Sequence, residues 1–166
     1  MDSPLLDRIT IRTTLKPGDI GYLAYLHGDL YSREYGYGLE FETYVAEGLV
    51  EFVRQYDPSN QRVWVCEEHH KMIGFMLLMN RGESAQLRYF LIRPEYRGIG
   101  LGSKLMNLYL TALKEFGYAS SYLWTTSDQK EAAALYRKFG FVKTDQKPSM
   151  EFGRPVLQER YDLTRV

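Results

Sequence analysis

The stretch RPEYRGIGLGSKLM (residues 93–106) places three glycines, Gly98, Gly100 and Gly102, between a predicted strand and a predicted helix. Glycine loses more conformational freedom on folding than any other residue, so its repeated use at this junction needs a compensating reason. A turn that requires a positive φ, or a ligand that lies against bare backbone, provides one. A strand, a glycine-rich turn and a helix N-terminus also present unpaired amide N–H groups to an anion. The sequence therefore predicts an anion site at this loop.

The spacing of the glycines distinguishes this loop from two common nucleotide-binding loops. It lacks the Lys-Ser/Thr ending of a P-loop and the G-x-G-x-x-G spacing of a dinucleotide fold. Phosphate is still the expected ligand, because residues 88–114 hold five basic side chains against one acid, Glu95. The alternative is that the glycines only shape a tight turn.

Hydrophobic periodicity predicts a single α/β domain over residues 1–166, with helices around a mixed sheet. Strand-like runs fall at 8–13, 62–68, 72–79, 85–93 and 120–126, and two more are predicted between 141 and 163. Four helices are predicted: from the N-cap candidate Asp19 to the break at 35–38, from about Glu40 to Tyr56, from the glycine loop to Gly117, and around 132–139.

Composition narrows the possible functions. A formal net charge of zero gives no general attraction to nucleic acid. The sole cysteine, Cys66, excludes an internal disulfide, suits a reducing compartment and is expected to be a buried small hydrophobe. The N-terminal residues contain acids and no long apolar run, so we expect no signal peptide, no membrane association and a cytoplasmic location.

The three histidines are not expected to do chemistry. His27 falls on the apolar face of the first helix and is predicted to be a core residue. His69 and His70 fall in a hairpin turn, without further ligands at metal spacing, so no metal site is expected.

The segment LIRPEYRGIGLGSKLM resembles the acetyl-CoA loop of the GNAT acyltransferase superfamily, which has the form R/Q-x-x-G-x-G/A. The resemblance implies a GNAT-like fold, a mixed central sheet of about seven strands flanked by about four helices. It implies that the pyrophosphate of acetyl-CoA binds to the backbone of Arg97, Gly98, Ile99, Gly100, Leu101 and Gly102. It also implies that the pantetheine arm pairs with the preceding strand at Phe90, Leu91 and Ile92.

A second segment, QKEAAALYRKFGF (129–141), is similar to the family pattern N-x-x-A-x-x-L-Y-x-x-x-G-F. Gln129 stands at the asparagine position, where it keeps an amide with a longer reach, and it is assigned to the cofactor. Tyr136 matches the family's usual general acid, so it is implied to contact the cofactor and to protonate the departing thiolate. The alternative is a core tyrosine on a helix face, in a chain with 14 tyrosines.

The remaining catalytic groups are less well defined. The oxyanion is expected to accept a hydrogen bond from the backbone N–H of Leu91 or Ile92. Some family members use a glutamate on this strand as general base, but residues 86–90 contain no carboxylate and Glu83 lies ahead of them in a predicted turn. A water relay is as suitable as any single residue, and no base is assigned.

The family resemblance places the acceptor against the two N-terminal helices. Residues 19–51 contain seven acids, one arginine and several aromatic residues, a combination that attracts a protonated amine. We therefore expect the primary amine of a small molecule or peptide as acceptor, bound by Glu34, Tyr35, Glu40 and Glu42. The alternative is a solvated acidic face with tyrosines packed beneath it.

Other possibilities stay open from the sequence. Residues 26–49 and the loop segment resemble the GNAT domains that some bacterial proteins carry behind a MarR-type DNA-binding domain, which is absent here. Rival functions are a non-catalytic acyl-CoA-binding or sensor domain and a nucleotide-binding module that shares only the glycine loop. Exposed strands or the aromatic helices could support a homodimer.

Overall fold

The computed structural model describes residues 3–166. Its helices and strands, in chain order, are β1 (Thr10–Arg12), α1 (Asp19–Tyr35), α2 (Leu39–Arg54), β2 (Arg62–Glu68), β3 (Lys71–Arg81), β4 (Ser84–Ile92), α3 (Leu101–Phe116), β5 (Ser120–Thr126), α4 (Lys130–Lys138), β6 (Val142–Ser149) and β7 (Val156–Leu163). Seven strands and four helices confirm the predicted α/β fold.

The strands form one mixed sheet in the order β1-β2-β3-β4-β5-β7-β6. All neighbours are antiparallel except β4 and β5, which are parallel. These two strands pair only over Ser84–Gln86 and Ser120–Tyr122. Beyond Gln86 they diverge, and the sheet opens at its centre.

Helices cover both faces of the sheet. On one face α3 and α4 bury a cluster that includes Leu105 and Tyr109, and on the other α1 and α2 bury Leu23 and Leu49. Strand β3 lies between the two clusters and is buried on both faces over residues 72–79. A strand enclosed in this way reads as an almost continuous apolar run, as β3 does.

Two details of the local structure differ from the predictions. Asp19 is not a helix cap, because Gly18 precedes α1 with a φ of 97° and no side chain in the described part of the chain caps the helix. The Asp19 carboxylate instead accepts hydrogen bonds from the guanidinium of Arg12 at 2.7 and 3.1 Å and from the amide of Lys16 at 2.8 Å. This pairing joins β1 to α1. The second helix ends at Arg54 rather than at Tyr56.

Cys66 lies in the middle of β2 and is fully buried, as predicted. Burial raises the pKa of its thiol to about 12, because a thiolate is poorly solvated in an apolar environment.

Candidate active site

Glycine is needed at these loop positions for two different structural reasons. Gly98 and Gly100 have φ values of 75° and 94°, in the left-handed region that favours glycine, and α3 begins directly after them. Gly102 lies inside α3, where an added Cβ would come within 3.1 Å of Leu135 Cδ2 on α4. The first two glycines therefore shape the turn, and the third allows the two helices to approach closely.

The backbone of this loop presents free donors. Within residues 3–166, no backbone carbonyl accepts a hydrogen bond from the amides of Gly98 to Ser103, and the first helical bond runs from the amide of Lys104 to the carbonyl of Gly100. Free amides at a helix N-terminus, with the helix dipole behind them, are a general binding site for phosphate.

Gly98, Gly100, Gly102 and Ser103 of this loop line a cavity of about 290 Å³, called here the cofactor cavity. It lies along the end of β4, over the loop and against α4, and the C-terminal end of α1 closes it on one side. Eight residues predicted for the cofactor line this cavity: Phe90, Leu91, Ile92, Arg97, Gly98, Gly100, Gly102 and Gln129. Tyr35, which was predicted for the acceptor, also lines it. The predicted residues Ile99 and Leu101 turn their side chains to the core, so only their amides are available.

Arg97 links the loop to two other elements. Its guanidinium donates hydrogen bonds to both carboxylate oxygens of Glu34, at 2.8 and 2.9 Å, and its Nε donates to the carbonyl of Ile92 at 2.9 Å. Glu34, which the sequence assigned to the acceptor, is therefore paired with the cofactor loop.

A second, smaller cavity of about 100 Å³ lies where β4 and β5 diverge. It is called here the acceptor cavity. Its walls come from α1, α2, β4, β5, α4 and the β6–β7 hairpin, and it shares three lining residues with the cofactor cavity: Tyr31, Phe90 and Gln129. The two cavities therefore meet at these three side chains.

Tyr136 lines the acceptor cavity from α4 and is 5% exposed. Its ring lies 6.2–6.3 Å from those of Phe90, Phe141 and Tyr161. Burial raises the pKa of the phenol, so the hydroxyl stays protonated. Tyr136 is thus both a packed residue and a proton-bearing group at the cavity wall.

Strand β4 contains a bulge at residues that line the acceptor cavity. Phe75 of β3 pairs with Leu91 and Leu77 pairs with Arg88, so an extra residue is inserted, and Tyr89 within it has a φ of 55°. The Tyr89 hydroxyl fits against Gly48 of α2, where an added Cβ would lie 1.8 Å from it.

The orientation of the strand decides which amide is open. Arg93 donates its backbone N–H to the carbonyl of Ile73, so Arg93 faces β3. In a strand, the backbone N–H and C=O groups of successive residues point to opposite sides, so those of Ile92 point away from β3. The carbonyl of Ile92 accepts from Arg97, in agreement with this orientation. Of the two residues predicted for the oxyanion, Ile92 thus presents its N–H on the open side, whereas Leu91 is turned toward β3.

Of the four residues predicted for the acceptor, Tyr35 lines the cofactor cavity, whereas Glu34, Glu40 and Glu42 line neither cavity. The carboxylate of Glu40 lies beside Gly38 and Gly153 at an exposed groove, and that of Glu42 lies beside Gly28 of α1. Helix α2 turns Phe41 and Val45 inward, so its acidic positions point elsewhere.

Several residues of the acceptor cavity were not singled out from the sequence. Gln86 and Arg88 had a local signal, since both interrupt an otherwise apolar strand. Trp124, Thr125, Phe152 and Gln158 had none, because their place in the cavity depends on long-range packing.

His27 is 2% exposed, which confirms the predicted core position, but it also lines the acceptor cavity. Its Nδ1–H donates to the carbonyl of Leu23 at 2.9 Å, and burial lowers the pKa of the imidazole to about 4. The ring is therefore neutral near pH 7.

Within residues 3–166, no group of three or more His, Cys, Asp or Glu side chains is placed to hold a metal ion. None of the helices in this range has the length and apolar character needed to cross a membrane.

Comparison with known proteins agrees with this architecture. The model of the acetyltransferase (GNAT) family matches residues 27–141, more than half of the chain. The uncharacterized N-acetyltransferase YjgM of Escherichia coli (strain K12) is 31% identical over 119 residues, which cover 69% of this chain and 71% of that protein.

Two solved structures share the fold. The spermidine N-acetyltransferase from Vibrio cholerae, in complex with CoA and spermine, gives a TM-score of 0.69 at 23% identity and covers 96% of each chain. The acetyltransferase from Streptococcus agalactiae 2603 gives a TM-score of 0.76 at 18% identity, over 95% of this chain and 98% of that one. With the family match, the glycine loop and the opened sheet, the chain is a member of the GNAT family of N-acetyltransferases.

Proposed function

We propose that this protein transfers the acetyl group of acetyl-CoA to the primary amine of a small molecule or peptide, by direct attack within a ternary complex. The observation that carries the proposal is the meeting of two cavities at Tyr31, Phe90 and Gln129. One cavity lies along the glycine loop and the other opens between the diverging strands. Donor and acceptor can therefore bind at once and react at the junction.

The residues of the cofactor cavity fit acetyl-CoA. The free amides of Gly98 to Ser103 suit the pyrophosphate, and the open edge of β4 beyond Gln86 suits the amides of the pantetheine arm. The bound CoA of the Vibrio cholerae neighbour supports this choice of ligand. When bound, acetyl-CoA supplies an activated acyl thioester.

Two groups of the chain, one on each side of the junction, can assist the transfer: Ile92 lines the cofactor cavity and Tyr136 lines the acceptor cavity. The N–H of Ile92 faces the opening and can donate to the carbonyl oxygen as negative charge develops on it. Tyr136 can donate its phenolic proton toward the departing sulfur. Because burial raises the pKa of Tyr136 above the roughly 8.5 of a thiol, complete proton transfer is uphill, and a hydrogen bond to the thiolate is the main contribution.

No carboxylate lines the acceptor cavity within the described residues. The incoming amine must lose a proton before it attacks, and we assign this step to water that leads out of the cavity. Glu34, Tyr35, Glu40 and Glu42 stay predictions for acceptor binding, and the closer resemblance to MarR-fused GNAT domains, a homodimer and a cytoplasmic location stay predictions as well.

The test is a screen of small amines and short peptides with acetyl-CoA, read by release of the CoA thiol and by mass spectrometry of the product. We expect acetylated amine in equal amount to released thiol. Calorimetry with acetyl-CoA is run in parallel. Binding without transfer to any amine would favour the non-catalytic acyl-CoA-binding domain, and retention of nucleotides but not CoA would favour the nucleotide-binding module.

A further inference from the structure

We propose that the acceptor carries a carboxylate next to its amine, as a free amino acid does, and that Arg88 binds this carboxylate in the acceptor cavity. The inference rests on the proposed function, because it names the substrate class for the same site. This contact is separate from the predicted attraction of the amine by the acidic helices, because it binds the other charged group of the acceptor.

The first observation is the charge of the cavity. Among its lining residues within the described chain, Arg88 alone carries a formal charge near pH 7, since His27 is neutral. The other lining side chains are aromatic, aliphatic, or neutral and polar. A small cavity with one fixed positive charge favours a ligand with an anionic group.

The second observation is that Arg88 has no ionic partner within residues 3–166. The ion pairs in this range use other arginines, among them Arg12, Arg97 and Arg160. Arg88 donates one hydrogen bond to the hydroxyl of Tyr44, at 3.3 Å. Its guanidinium carbon lies 4.7 Å from the ring centre of Tyr89 and 5.6 Å from that of Tyr44.

These contacts orient the guanidinium without neutralising it. An arginine has five N–H donors in a fixed plane, a shape that matches two carboxylate oxygens. The contact with Tyr44 uses only one of these donors, so a bidentate contact with a ligand remains open.

The third observation concerns the neutral polar groups of the cavity. Gln86 already accepts from Arg81 at 2.9 Å, and Gln158 already donates to Glu151 at 2.8 Å. By contrast, the buried hydroxyl of Thr125 has no hydrogen-bond partner among residues 3–166. Buried polar groups without a partner are uncommon. Thr125, on the facing strand, is therefore a second group available to a polar ligand.

The position of Arg88 fits a short acceptor. Phe90, at the junction with the cofactor cavity, follows Arg88 by two residues, so the two Cα atoms lie within about 7 Å, the span of two extended residues. An arginine this close to the junction can hold a carboxylate while the neighbouring amine reaches the thioester. The cavity volume of about 100 Å³ agrees with a small molecule.

The test compares acceptors in matched pairs: leucine with 3-methylbutylamine, methionine with 3-(methylthio)propylamine, and phenylalanine with phenethylamine. Each pair differs only in the carboxylate. For each, kcat/KM with saturating acetyl-CoA is measured for the unmodified protein, Arg88→Gln, Arg88→Lys and the control Arg62→Gln. Arg62 pairs with Glu115 and lines neither the cofactor cavity nor the acceptor cavity.

We expect the unmodified protein and Arg62→Gln to prefer the amino acid in at least one pair, by roughly 10- to 100-fold, the range for a hydrogen bond to a charged group. Arg88→Gln should remove this preference mainly through a higher KM for the amino acid. Arg88→Lys should keep part of the preference for the amino acid, because the positive charge remains although the paired N–H donors of the guanidinium are lost. Thermal unfolding of each variant verifies that the fold is intact.

Equal use of both members of every accepted pair would overturn the inference and leave N-acetyl transfer standing. The same holds if Arg88→Gln lowers kcat/KM equally for both members. If acetyl-CoA binds but no amine leads to release of CoA, the proposed function is overturned, and this inference with it.

Discussion

Both carboxylate oxygens of Glu34 accept hydrogen bonds from Arg97, so the end of α1 is attached to the loop that is proposed to bind acetyl-CoA. The same guanidinium holds the carbonyl of Ile92 at the end of β4. One arginine therefore positions three walls of the cofactor cavity.

Replacing Glu34 with glutamine should weaken acetyl-CoA binding, because the bidentate pair that orders the loop is lost. We expect Kd to rise about 3- to 10-fold, which corresponds to about 1 kcal/mol, the net value of an ordinary hydrogen bond. Stability should change little, since the pair is partly exposed. Calorimetry measures the effect. Asp29→Asn is the matched control, since it breaks an ion pair with Arg33 on the same helix away from the loop. An unchanged Kd for Glu34→Gln would contradict the positioning role.

Replacing Gly100 with alanine should abolish or strongly reduce acetyl-CoA binding. The added methyl group and the strain at a φ of 94° both disturb the backbone that faces the pyrophosphate. Gly117→Ala is a matched control, because Gly117 has a φ of 77° at the other end of α3, and an added Cβ would meet no atom within 4 Å from the described residues beyond its chain neighbours. Both variants should lose about 1 kcal/mol of stability. If calorimetry finds the same Kd for both, the glycine loop only shapes a turn.

Tyr136→Phe keeps the ring and its packing and removes the proton donor. The expected loss in kcat is near 10²-fold or below, the low end for general acid catalysis, because a thiolate leaves readily and the raised pKa of the phenol limits proton transfer. The KM for acetyl-CoA should change little. Wild-type kcat in this variant, measured where the chemical step limits turnover, would reduce Tyr136 to a packing residue.

Stability should depend on pH through His27. Its pKa is about 4 in the folded protein and about 6.5 when unfolded, so between these values the unfolded chain binds the proton more readily. The contribution of neutral His27 to the free energy of unfolding is therefore fully present above about pH 6.5. As the pH falls toward 4, the free energy of unfolding decreases by up to about 1.4 kcal/mol per pH unit. Urea unfolding between pH 4 and 7 measures it. His27→Gln should flatten this dependence and the exposed-turn variant His70→Asn should not; an unchanged slope in His27→Gln would refute the assignment.

Much of the fold could be predicted because its signals are local. Residues close together in the sequence determine the glycine turn before α3, the hydrophobic periodicity of the helices and the apolar runs of the strands. Asp19 was misassigned as a cap because its partner, Arg12, lies in another element.

The acceptor cavity was harder to predict for the same reason. It exists because β5 leaves β4 after three residues, and Phe152 and Gln158 arrive from the last hairpin. The acidic residues of α2 suggested an amine site, but Glu40 and Glu42 project away from the opening once Phe41 and Val45 face the core. Composition of a helix does not reveal which of its faces meets a cavity.

The burial of Cys66 has a practical consequence. A thiol that is enclosed in the sheet and has a pKa of about 12 is almost entirely protonated at neutral pH, and the thiolate is the form that attacks disulfide reagents. Cys66 of the folded enzyme should therefore not react with a chromogenic disulfide. After denaturation, one equivalent of thiol per chain should react. Colour formed during turnover can then be attributed to CoA, without a correction for the enzyme's own sulfur.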